Sequence, residues 1–86
     1  MNRSVVIANE LGLHLRPSGE FVKLAATFRC DVRVSKDGGD PVNGKSILGL
    51  VTLGAESGSH ITIRGDGDDA EDAVVALARL VEAGFK

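Results

Sequence analysis

The spacing of hydrophobic and polar residues changes period several times along the chain. Residues 3–9, RSVVIAN, are rich in β-branched side chains and stop at Asn9, which predicts a strand followed by a short loop carrying Gly12. From Pro17 the period lengthens: Phe21, Leu24, Ala25 and Phe28 fall at i, i+3, i+4 and i+7, the spacing of one helical face. In DVRVS, 31–35, Val32 and Val34 alternate with polar neighbours, as in a strand covered on one side. The Gly38-Gly39 pair then predicts a turn into a short returning strand around Pro41–Asn43, with Pro41 indicating an edge. SILGLVTL, 46–53, has no decisive period, but Ser46 ahead of an apolar run is a natural N-cap and favours a short helix. HITIR, 60–64, alternates again and is the clearest strand. Asp68 and Glu71 have capping-box spacing ahead of Ala70, Ala73, Val74, Leu77 and Val81, which predicts a long helix ending near Gly84.

The expected order is therefore β-α-β-β-α-β-α, an α+β fold with an antiparallel four-stranded sheet, helices on one face and the other face solvated. A chain of 86 residues is expected to form one domain, 1–86, with one core and one principal site. Three Phe and no Trp or Tyr leave that core aliphatic and provide no aromatic platform for base stacking. A formal net charge of −2 argues further against nucleic-acid binding. Cys30 is the only cysteine, which excludes an internal disulfide and a multi-thiolate zinc site. MNRSVVIANE does not read as a signal peptide, and no apolar run is long enough for membrane insertion. The expectation is a cytoplasmic protein.

Few segments suggest chemistry. GDGDDA, 65–70, fits the glycine spacing of a dinucleotide fold but puts three aspartates where a pyrophosphate would sit, and it reads better as a turn and helix cap. As a calcium loop from Asp66 it fails at Glu71 and Leu77. His60 reads as a surface residue and Cys30 as a small buried hydrophobe. GLHLRPS, 12–18, is different. Pro17 suits a first helical position, so His14 and Arg16 flank a helix N-terminus where the N–H groups of Leu15, Arg16 and Ser18 are candidates to hold an anion. Arg16 adds a planar fork suited to phosphate, and a neutral imidazole is nucleophilic enough to accept a phosphoryl group. The alternative, a loop histidine beside a solvated arginine, remains open on these residues alone. A helix over 46–53 that turns Leu50 and Leu53 inward leaves Ile47, Leu48 and Val51 as an exposed aliphatic patch, the mark of a partner surface, unless that helix is buried on both sides.

GLHLRPS together with VNGKSILGLVTLG, 42–54, resembles the HPr family, the histidine phosphocarriers of the bacterial phosphoenolpyruvate-dependent phosphotransferase system (PTS). The likeness runs the length of the chain and departs from the family pattern G-[LIM]-H-A-R-P-A at Leu15 and Ser18. It implies an open-faced β-sandwich with three helices on one face. It also implies that His14 takes phosphate on Nδ1 from enzyme I and gives it to the IIA components of sugar transporters, with Arg16 steadying the group. Ser46 matches the serine modified by an HPr kinase/phosphorylase, a further partner. Leu15, Ile47, Leu48 and Val51 match the docking surface. Such a carrier is not an autonomous enzyme and needs no metal or cofactor, and a monomer is expected. Two other readings stand beside it: a regulatory carrier of the nitrogen-related PTS branch, and a ferredoxin-like interaction module, which strand order would distinguish.

Overall fold

A computed structural model describes residues 1–86. Its seven elements follow the expected order: β1 (Asn2–Val6), α1 (Leu15–Ala25), β2 (Asp31–Lys36), β3 (Val42–Asn43), α2 (Ile47–Thr52), β4 (His60–Asp66) and α3 (Ala70–Glu82). The strands form one antiparallel sheet in the order β1-β4-β2-β3, so the last strand lies inside and β1 and β3 are the edges. Val5 pairs with Ile61 and Val34 with Ile63. With Val32 these side chains are buried on one face, against Phe21, Ala25, Leu50, Val74, Leu77 and Val81 of the three helices. α3 packs on β1 and β4, α2 lies by β3, and α1 bridges α2 and α3. Alternate strand residues, such as Ser4, Arg33 and Arg64, face outward as the period of two requires.

Several boundaries differ from the sequence expectation, each for a local reason. β1 ends at Val6 rather than Asn9, although Ile7 remains buried and exchanges backbone hydrogen bonds with Gly58 and Ser59. The turn after β2 uses Asp37 and Gly38 instead of the Gly-Gly pair. Both have positive φ, 50° and 75°, and the Gly39 N–H closes the turn on the Lys36 carbonyl at 2.8 Å. Asp tolerates that region well enough to serve as the first residue of a type I′ pair. Phe28 lies beyond the end of α1 and packs against the core from the following turn.

The expected capping box at α3 does not form. Asp69, not Asp68, is the N-cap, and its side chain makes no cap bond. Its carboxylate instead accepts the backbone N–H groups of Arg29 and Cys30, at 2.8 and 2.9 Å, and so ties the start of α3 to the segment entering β2.

Candidate functional site

The site is assembled on the loop between β1 and α1. Gly12 has φ of +70°, and a Cβ there would run into the Ala55 carbonyl and the Glu56 backbone, so only glycine fits. The Asn9 side-chain amide donates to the Gly12 carbonyl at 2.7 Å, and the Gly12 N–H returns to the Asn9 carbonyl at 3.3 Å. Leu13 is buried and its N–H donates to the Ala55 carbonyl at 2.9 Å, while the buried Ser18 hydroxyl donates to the Leu13 carbonyl at 3.2 Å. His14 follows this pinned segment as the N-cap of α1, with extended backbone and an exposed side chain that makes no capping bond.

α1 begins at Leu15, two residues earlier than the pattern suggested, so Pro17 occupies its third position rather than its first. A proline is still tolerated in the first turn, where its missing N–H would have no helical partner. The Ser18 N–H, expected to be free, is not: it closes the first helical rung on the His14 carbonyl at 3.0 Å. Leu15 and Arg16 are left with free N–H groups beside the imidazole, and the first turn holds no acidic residue to compete for an anion. The Arg16 side chain is exposed, outside any ion pair, and borders a concavity of about 440 Å³ with Asn9, Pro17, Glu20, Gly84 and Phe85.

A second concavity, of about 280 Å³, joins the two motifs. His14 and Leu15 line it from one side, Val51 and Gly54 from the end of α2, and Leu13, Ala55 and Glu56 from beneath. Around it Leu15 is 70% exposed, Leu48 76%, Ile47 37% and Val51 36%, an aliphatic surface drawn from two helices. Leu50 points the other way and is fully buried. Ser46 lies outside this concavity, at the start of α2, where its hydroxyl oxygen accepts the Gly49 N–H at 3.1 Å as expected of an N-cap. Sequence reasoning did not single out Asn9 or the 55–56 segment, although Asn9 stands three residues before a loop glycine, where a side chain can reach the backbone of its own turn.

The other candidates are structural. His60 is exposed at the start of β4. Burial, reinforced by the neighbouring Asp69 carboxylate, pushes the Cys30 thiol up and away from the reactive thiolate form. No three His, Cys, Asp or Glu side chains are placed to hold a metal ion, and no helix is long and apolar enough to cross a membrane.

The structure presents a histidine at a helix start beside an aliphatic surface, the two features that residues 12–18 and 46–53 suggested. A family model described as the PTS HPr component phosphorylation site matches residues 1–83. The chain belongs to the HPr family of PTS phosphocarriers. It is 41% identical over 85 residues to the phosphocarrier protein HPr of Neisseria meningitidis, covering 99% of this chain and 94% of that one. It is also 36% identical over 83 residues to the phosphocarrier protein NPr of Proteus mirabilis, covering 96% and 92%. The crystal structure of HPr-C-His from Thermoanaerobacter tengcongensis matches with a TM-score of 0.93 at 39% identity, over 99% of this chain and 94% of that one. An HPr dimer from the same organism matches with a TM-score of 0.78 at 40% identity, over 95% and 93%. With β1 at the edge and β4 inside the sheet, this likeness sets aside the ferredoxin-like module and establishes the HPr fold.

Proposed function

We propose that His14 carries the phosphoryl group, taking it from enzyme I and passing it to a IIA component. One observation supports this above others: His14 stands exposed and uncapped between the pinned Leu13 and the free N–H groups of Leu15 and Arg16. The attacking nitrogen is Nδ1 of the neutral ring, with the hydrogen held on Nε2. A bond forms from Nδ1 to phosphorus as the bond to the donor's leaving group breaks, and that group keeps the electron pair. At the acceptor the same exchange runs with Nδ1 as the leaving group. The helix N-terminus and the Arg16 fork offset the charge of the transferred group, while enzyme I and the IIA component supply the catalysis. On this reading the chain is a substrate of other enzymes, works in the cytoplasm and needs no cofactor.

The decisive test is incubation with phosphoenolpyruvate and enzyme I, followed by assay of acid-labile phosphate. Label is expected on the wild type and absent from His14→Ala; equal label on both would overturn the assignment.

The leading reading is the sugar branch, and Ser46 within KSILGL favours control by an HPr kinase/phosphorylase without deciding the pathway. The likeness to an NPr favours a second reading, a nitrogen-related carrier with the same chemistry at His14. Offering phosphorylated protein to IIA components of each branch separates the two, since the faster acceptor names the pathway. We read the carrier as a monomer, which leaves the Leu15–Val51 surface free for successive partners. Sedimentation at working concentration tests this against the dimeric state described for one relative.

A further inference from the structure

We propose that the open face of the sheet carries a second anion site, built on Arg33 and Arg64 and suited to a dianionic phosphate group. In the sheet register Asn2 opposes Arg64, Arg64 opposes Arg33, and Arg33 opposes Asn43. Directly paired residues share a face, so four side chains bearing N–H donors form one row across all four strands. The row faces away from the helices, because Val32, Val34 and Ile63, the chain neighbours of these arginines, are buried in the core. The next row on the same face is Ser4, Thr62 and Ser35, all hydroxyls. Asn2, Arg33, Ser35, Pro41, Thr62 and Arg64 line a concavity of about 210 Å³ between these rows.

Two like charges directly opposed across strands repel each other. Each arginine is steadied by a carboxylate two residues along its own strand: Arg33 Nε lies 3.2 Å from Asp31, and Arg64 Nε 3.2 Å from Asp66. Arg33 Nε–H donates to Asp31, whereas Arg64 and Asp66 form an ion pair only, and the Nη hydrogens of both guanidiniums are left without a partner in the chain. Asp31 and Asp66 oppose each other on the outer side of the arginine row, away from the hydroxyls. An anion seated between the forks, toward the hydroxyl row, accepts from the free Nη hydrogens of both arginines at once. A dianion with several acceptor oxygens gains from both charges, where chloride makes far fewer contacts. The site lies on the face opposite the helices and stands independently of the role of His14.

The test is a titration of the full-length, ¹⁵N-labelled chain with inorganic phosphate at constant ionic strength, read by backbone and arginine Nε–H resonances. Saturable shifts are expected at Asn2, Arg33, Ser35, Thr62 and Arg64, resolved from any at Leu15 and Arg16. Arg33→Gln and Arg64→Gln should each weaken the sheet-face response about tenfold, consistent with loss of charge-assisted hydrogen bonds, and leave the Leu15 and Arg16 response alone. Both side chains are about half exposed and lie outside the core, so these variants keep the fold, as an unchanged spectrum elsewhere will show. A parallel titration with glycerol 3-phosphate distinguishes the source: tighter binding than inorganic phosphate assigns a monoester, and equal or weaker binding assigns free phosphate. Shifts that do not saturate, that sodium chloride reproduces, or that survive in the double variant would overturn the site.

Discussion

Gly12 decides where His14 stands. An alanine there must hold a left-handed backbone and place its Cβ against the Ala55 and Glu56 backbone, two costs that act together. Gly12→Ala is therefore expected to lower stability by about 2–3 kcal/mol in urea titration and, by shifting the loop, to slow phosphorylation at His14. Asp69 provides a pH-dependent case. The Arg29 N–H above all, together with that of Cys30, holds its carboxyl below the usual aspartate range. A carboxyl more acidic in the folded chain than in the unfolded one stabilises the fold above its unfolded pKa, and that contribution disappears as pH falls through the folded value. Asp69→Asn should accordingly destabilise the protein at pH 7, and the gap from wild type should narrow below about pH 4, as denaturant midpoints across pH will show. That this aspartate would look backward by forty residues instead of capping its own helix was not legible in the sequence, because local spacing carries no information about Arg29.

At the scale of elements, α1, α3, β2 and β4 were legible because each buries one face against the same core, which imposes its period on the residues. The start of α1 was not: Leu15 and Arg16 are exposed, so no burial pattern marks the first turn, and Pro17 drew the boundary to itself. α2 was legible only through Ser46. Six residues are too few to hold a helix in water unaided, so its cap and the buried Leu50 sustain it. Ser46→Ala is expected to cost about 1 kcal/mol, read as a lower urea midpoint. Ser46→Asp supplies another good cap and should leave that midpoint nearly unchanged while slowing transfer from enzyme I, because it sets negative charge beside the aliphatic surface. Equal transfer rates for Ser46→Asp and wild type would remove the basis for control through Ser46.

Across the whole molecule, the two motifs were visible in the sequence but their meeting was not. Residues 12–18 and 46–53 are separated by two strands, and only the β1-β4-β2-β3 order with α1 beside α2 brings Leu15 to Val51. Strand order depends on pairings across the full chain length, which alternation within a strand leaves undetermined. Leu48, the most exposed member of the surface, tests its role separately from the fold. Leu48→Lys should change stability by less than about 0.5 kcal/mol while lowering the rate of transfer from enzyme I, measured in the same labelling assay. The tie from the Leu13 N–H to the Ala55 carbonyl fixes the histidine loop to the segment that leaves α2. A partner therefore meets a tile already set. Little ordering entropy is spent on contact, so a small interface can suffice and the complex can part quickly. For a molecule that must leave one protein to reach the next, short residence is worth more than tight binding.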